Sequence, residues 1–482
     1  MSTSNASAPA VPRSAVVTAL VLVVGGLAVI FDSTIMSVAL KSLAADLDVP
    51  IGTIQWVTTG YLLAIGVAIP IVGWAQARVG GKRLWMIALS VFLVASIACS
   101  LAWDATSLIA FRVLQGVGGG LMMPLMATLA IQQVPRGANL GRLMATISLP
   151  AALGPILGPT IGGLILAWAD WRWLFWVNVP FCAIGLALAA RFIPADAPRG
   201  AARLDLLGLL LVAPGLVGVL YGLSGVGQDG GFSRGDVWLP LIGGALLIAA
   251  FAVVEVRKAG TGLVDLRLLH RRSVGSSSVV LFLSGASLYG AMLLLPLFFQ
   301  IVHRTDALGA ALLLVPQGVG ALLSRTLAGR LTDAVGARVV AIGGFLLMGA
   351  ATVPFALADA STSEWMLGAV LVIRGFGLGA VIIPVMSVAY VGLEHDEIPH
   401  ASIITRLAQQ LGGAFGTALL AVILDSAVGG AGSLDELAHG FDLAFWWAVG
   451  LTGVAAVVSL ALPGPTSSTG AVSPRRPRRS RR

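Results

Sequence analysis

The sequence predicts an all-α polytopic membrane protein with fourteen transmembrane helices, ordered six, two and six. Three observations predict it. The 482 residues are 57% hydrophobic and 11% charged, with a mean hydropathy of +0.94, a balance foreign to soluble domains. Apolar runs of about 20 residues, the length that crosses a bilayer, recur from end to end. Basic residues concentrate in alternate gaps between those runs.

The runs cover 16–38, 53–75, 84–102, 107–132, 142–167 and 173–191, then 204–225 and 238–256, then 274–299, 308–327, 339–358, 366–391, 401–425 and 441–462. The domain reading follows: a tail at 1–15, a six-helix bundle at 16–191, two extra helices at 204–256, a second bundle at 274–462 and a basic tail at 463–482. An internal repeat supports the division. Gly73 and Gly80 after the second run recur as Gly329 and Gly336 after the tenth, and LGPTIGGLIL (157–166) is echoed by LGGAFGTALL (411–420).

Charge sets direction. Arg78, Lys82 and Arg83, then Arg136 and Arg142, Arg191 to Arg203, Arg257 to Arg272, and Arg325 to Arg338 fall in gaps of one parity. The positive-inside rule makes that side cytoplasmic, with both termini on it, as expected for a bacterial plasma (inner) membrane protein. The acidic gap GLEHDEIPH (392–400) goes against the trend but carries little weight in that rule. The net charge of +8 does not indicate nucleic acid, because the basic residues sit in short loops and the tail. Twelve tryptophans against four tyrosines, most flanking apolar runs (Trp74, Trp85, Trp103, Trp168, Trp171, Trp238, Trp365), suggest an interfacial belt. Cys99 and Cys182 lie inside apolar runs without metal-ligating neighbours. His395 and His400 read as a solvated turn, so no metal is expected.

One acidic residue stands deep in an apolar run. Asp32 lies in AVIFDSTIMSVAL, while the other acids fall in or near the gaps. A carboxylate in hydrocarbon costs several kcal/mol unless paired, hydrated or protonated. A chain that keeps one there uses it to carry a proton or meet a cation, the alternative being a capped structural hydrogen bond. Asp205, Glu255 and Asp425, nearer run ends, read as structural or interfacial.

The fifth run reads PAALGPILGPTIGG. Gly154, Gly158 and Gly162, with Gly163 beside them, line one helix face for close approach, and Pro155 and Pro159 bend it there. This doubled motif resembles the antiporter motif of the major facilitator superfamily. DWRWLFWVNVP (170–180), FDSTIMSVAL (31–40) and FRVLQGVGGG (111–120), with LVDLRLLHRR (263–272) and QQLGGAFGTA (409–418), resemble signatures of its fourteen-helix drug:proton antiporters, the EmrB/QacA type. The resemblance implies a major facilitator fold, alternating access driven by a proton gradient without a cofactor, Asp32 as the acid of the first helix and Arg112 as the basic residue of the fourth. It also implies cytoplasmic gate loops at Gly73, Arg78, Gly80 and Lys82, and at Gly329, Asp333, Gly336 and Arg338. One departure stands out. Ala77 occupies the place of the usual acid, whereas Asp333 is kept in the second copy.

Asp32 lies about 9 Å from the end of its run and Arg112 about 8 Å into its own, by helical rise, so the two are expected to pair. Gln55, Gln115, Met122, Met126, Phe298, Phe299 and Gln317 are candidates for an adaptable substrate cavity. The expected activity is efflux of lipophilic drugs or antibiotics, cations among them, by a monomer in the lipid bilayer. The alternative is export of one endogenous metabolite or self-made antibiotic. A polytopic enzyme is disfavoured, because the loops are too short for a catalytic domain and no Walker-type loop is present.

Overall fold

The computed structural model describes residues 11–49, 51–54, 56–135, 141–147, 149–196, 204–226, 235–258, 262–394, 396–428 and 434–464, and among them there is no strand. The first bundle contains α1 (Arg13–Asp46), α2 (Ile51–Ile54), α3 (Trp56–Ala68), α4 (Val72–Val79), α5 (Gly81–Ser100), α6 (Ala105–Ile131), α7 (Gly141–Ile147), α8 (Leu149–Trp168), α9 (Trp173–Trp176) and α10 (Asn178–Phe192). A hairpin of α11 (Leu206–Val226) and α12 (Gly235–Arg257) follows. The second bundle contains α13 (Arg272–Ile301), α14 (Ala307–Leu313), α15 (Val315–Val335), α16 (Ala337–Thr352), α17 (Glu364–Ala389), α18 (Ile398–Val428) and α19 (Leu434–Val458).

Among the described residues, twelve helices are long and apolar enough to cross a membrane, not the fourteen expected. The shortfall falls on the fifth and tenth expected spans. The fifth is described as α7 and α8 on either side of residue 148, which lies outside the described residues, and the tenth is divided by a turn at Leu314 into α14 and α15. Among the described residues the apolar helical stretch there is Leu308–Ser324, and α15 continues through Arg330 to Val335. The first span also differs. α1 continues to Asp46, beyond the expected end at Val38. Pro70 breaks the second span into α3, a short 3-10 turn at Ile69–Ile71 and α4.

Glycines set the helix seams. A side chain at Gly154 would strike Ile30 and one at Gly158 would strike Thr34, so α8 rides directly on α1. The second bundle repeats the device: Gly412 and Gly416 of α18 press on the backbone of Phe282 and Ala286 in α13. Gly215, Gly218 and Gly222 of α11 face Gly244, Pro240 and Val237 of α12 in the same way. The bundles meet where α8 lies on α15 and α6 on α18. α11 packs on both α3 and α18, covering one flank of the seam between the bundles.

The expected tryptophan belt holds in part. Trp168 is 85% and Trp365 91% exposed, as lipid-facing or interfacial rings should be. Trp85 and Trp171 are buried instead. Trp85 fills the space left by Gly25, and Trp171 packs edge-on against Phe175 under the Arg172 guanidinium.

Candidate functional site

The Asp104 carboxylate accepts the Ser107 N–H at 2.7 Å and the Ser107 hydroxyl accepts the Asp104 N–H, a capping box that fixes where α6 begins. Two turns later Arg112 points into the first bundle, fully buried. Its Nη1 meets Asp32 Oδ2 of α1 at 2.5 Å. The other carboxylate oxygen accepts Gln115 Nε2 and Asn178 Nδ2, each at 3.0 Å. Arg112 also donates to Gln115 Oε1 (2.7 Å) and to the Val57 carbonyl (3.1 Å), and its guanidinium lies 4.0 Å from the centre of the Tyr61 ring. Asn178 reaches Ser96 Oγ, which donates to the Phe175 carbonyl. Five helices thus converge on one carboxylate. A buried ion pair stands only when hydrogen bonds satisfy what the pair leaves over, and most of the cluster is so satisfied. Arg112 Nη2 and Asn178 Oδ1 have no partner.

The second bundle holds a related arrangement without the acid. Arg374 of α17 is 2% exposed and donates to Gln317 Oε1 (2.7 Å) and Thr352 Oγ1 (3.1 Å). The offset that carries Gly73 to Gly329 carries Tyr61 to Gln317 and Ser96 to Thr352. Both arginines therefore sit among repeat-related neighbours, but among the described residues only Arg112 has a carboxylate partner. A cleft of about 210 Å³ opens between α3, α11, α13 and α18, lined by Thr59, Leu62, Leu223, Tyr289, Gln410 and Thr417 among others. On the face that carries the basic loops the bundles touch: Ser402 Oγ of α18 donates to the Pro124 carbonyl of α6 at 2.9 Å, and Gly73 abuts Ile403 and His400.

The sequence profile of the Major Facilitator Superfamily matches residues 22–417. The chain belongs to that superfamily. Its members are transporters rather than enzymes, so this is a multi-pass membrane transporter. It is 36% identical over 396 residues to the multidrug resistance protein B homolog of Mycobacterium tuberculosis, covering 82% of this chain and 73% of that one. It is 29% identical over 397 residues to the lincomycin resistance protein LmrB of Listeria monocytogenes, covering 82% and 84%. Among solved structures, the proton:xylose symporter XylE superposes with a TM-score of 0.65 at 16% identity, over 93% of this chain and 96% of that one, a likeness of fold.

Within this major facilitator protein the sequence-predicted residues have different fates. Asp32, Arg112 and Gln115 form one cluster. Gly154 and Gly158 sit in the α1–α8 seam, Gly162 is buried, and Gly163 faces Leu308 across the bundles. Pro155 and Pro159 fall within α8, with side chains outside the described set, as does the Asp333 side chain in α15; Gln55 is likewise outside it. Met122, Met126, Phe298 and Phe299 do not line the cleft. The methionines are in the first bundle's core, and the two rings pack with Phe355, Phe441 and Phe445 in the second. Gln317 serves Arg374.

The two loops expected to act as gates match each other in backbone: Gly80 and Gly336 both take φ of +87°, where a side chain is strained. The Ala77 departure has a local counterpart. Asp196, beyond α10, accepts the Gly81 N–H (2.7 Å) and the Lys82 N–H (3.0 Å) at the start of α5. Lys82 Nζ donates to the Ala190 carbonyl, and Arg338 in the other copy to the Leu462 carbonyl. Sequence reasoning missed Asn178, Tyr61 and Asp196, which carry no signal beyond ordinary polarity. It also missed Arg374 and Arg406, although each is a charge inside an apolar helix, the signal that picks out Asp32.

Proposed function

We propose that this protein is a proton-coupled exporter, a drug:proton antiporter that moves lipophilic compounds by alternating access, powered by the proton gradient without a cofactor. One observation carries the reading. The only carboxylate that the first bundle buries at mid-helix, among the described residues, is bonded at once to a buried arginine and a glutamine of α6 and an asparagine of α10. Protonating Asp32 removes the charge that Arg112 faces, so the packing of α1 against α6 and α10 depends on whether a proton is bound. Substrate then binds one protonation state better than the other, which is what coupling requires.

In this reading α8 and α15 also cross the bilayer, giving the fourteen-helix subtype. The basic face is the cytoplasmic one, with both termini there, and the membrane is the bacterial inner membrane. The bundle contact at Ser402 and Pro124 then closes the cytoplasmic side, leaving the cleft in the outer half. The names of the relatives, multidrug and lincomycin resistance, favour drugs or antibiotics as substrates, with a single dedicated metabolite as the competing outcome.

Purified protein in proteoliposomes decides the matter. Wild type should drive substrate movement under an imposed pH gradient, and Asp32→Asn should bind substrate yet show no coupled proton flux. Normal coupled flux in Asp32→Asn overturns the assignment.

A further inference from the structure

Charge at mid-helix depth in the two bundles is lopsided. α6, α17 and α18 carry Arg112, Arg374 and Arg406 in their apolar stretches. Asp32 answers the first; among the described residues, no carboxylate lies within ion-pair distance of the other two. α13, which packs closely on α18, has no acidic residue at all. A guanidinium in an apolar interior is held at a cost of several kcal/mol. Neutral donors would serve a purely structural hydrogen bond at far lower cost.

The two unanswered arginines differ in access. Arg374 is closed in, and its bonds to Gln317 and Thr352 hold α17 against α15 and α16. Arg406 is only partly buried. It donates Nη1 to Gln409 Oε1 at 3.1 Å, and its Nε has no acceptor. Helical spacing places it on the cleft. Gln410, Gly413, Ala414, Thr417 and Ala421 of α18 form the cleft wall, and Arg406 precedes Gln410 by one turn on the same face. Tyr289 of α13, itself in the cleft wall, stands within electrostatic reach of Arg406, as does Tyr390. The cleft is thus an apolar slot walled by Leu62, Leu220 and Leu223, and helical spacing sets Arg406 one turn beyond its Gln410 wall.

We propose that this cleft takes a lipophilic anion, with a carboxylate or sulfonate on the Arg406 guanidinium and an apolar body between α3, α11 and α18. Charge-assisted hydrogen bonds to a planar guanidinium suit such a head group, and its positive charge repels cations. The expectation of cationic substrates drawn from Asp32 is thereby reversed, because that carboxylate is already spent on Arg112. The inference rests on the exporter reading of the same molecule and names its substrate class.

Decanesulfonate and decyltrimethylammonium test it, since they share one chain and carry permanent opposite charges. Their radiolabelled forms are bound to the full-length protein in nanodiscs, with empty nanodiscs subtracted. Wild type should favour the sulfonate. Arg406→Gln should weaken sulfonate binding roughly tenfold or more, the loss of one charged hydrogen bond, while Arg406→Lys should keep most of it. Leu223→Trp, which fills the slot, should weaken it with the arginine intact. Equal sulfonate affinity in wild type and Arg406→Gln, or a preference for the ammonium, overturns the proposal. The exporter reading fails separately: sulfonate that binds normally but never moves under a pH gradient sinks coupling and leaves the anion site standing.

Discussion

Asp32 keeps company that explains both its survival in an apolar helix and the difficulty of changing it. Removing one partner leaves the other charge buried and unanswered, so Arg112→Ala should destabilise the protein by about 3–5 kcal/mol. Thermal unfolding in detergent reads that loss. The double variant Asp32→Asn with Arg112→Gln should recover most of the stability without recovering transport, separating the structural contribution of the pair from the coupling role proposed for it. At this scale the sequence is informative where a residue violates its surroundings. A carboxylate or guanidinium within twenty apolar residues is conspicuous, and Asp32, Arg112, Arg374 and Arg406 all qualify. Asn178 and Tyr61 do not, because a neutral polar group near a helix end is ordinary until the fold brings it to a charge. Phe298 and Phe299 mislead for the converse reason: aromatic rings suit a drug cavity and a packed core equally, and only the neighbouring Phe355, Phe441 and Phe445 decide between them.

At the level of helices, the seams read well from glycine spacing and the ends read badly. The α1–α8 contact follows from the recurrence of Gly154 and Gly158, and Gly158→Leu should abolish transport with the protein still inserted, by driving a side chain into Thr34. Unimpaired transport by that variant would mean that the seam yields. Ends depend on partners distant in sequence. The start of α5 is capped by Asp196, more than a hundred residues later, and no local pattern announces it. Asp196→Ala should lower the unfolding midpoint by the equivalent of about 1 kcal/mol, the typical loss of a helix cap. Asp205 at the start of α11 is a second cap. Burial would raise its pKa, but hydrogen bonds from Glu255, Lys258 and the Gly208 N–H prevail and hold it low, at about 2. A lowered carboxylate stabilises above its unfolded pKa, roughly 4. This contribution should therefore persist at neutral pH and fade between about pH 4 and 2, and Asp205→Asn should flatten that part of a stability–pH curve.

Across the whole molecule, two bundles with an inserted hairpin were legible because the repeat offsets and the alternation of basic gaps are long-range patterns that survive local error. The number of crossings was less so: a turn at Leu314 separates α14 from α15 where the apolar run looked continuous. Orientation is open to direct measurement. With the basic face inside, a cysteine at Asp170 should react with an impermeant maleimide in intact cells, and one at Arg267 should react only after lysis. The reverse pattern would invert the topology.

The hairpin imposes a further condition on movement. α11 touches α3 in the first bundle and α18 in the second, and two bodies that rock apart cannot both retain it. Its attachment is unequal. Tyr221 stacks on Trp56 at 5.6 Å with the rings 25° from parallel, and Leu220 reaches Gly66, whereas toward α18 the hairpin makes a small apolar contact of Val237 and Leu223 with Ala418 and Val422. In the alternating-access reading proposed above, the hairpin should travel with the first bundle, and the sliding surface should run along α18. Trp56 then serves as a stationary optical reference, its emission constant through the cycle, while a fluorophore on Thr417 would record each stroke.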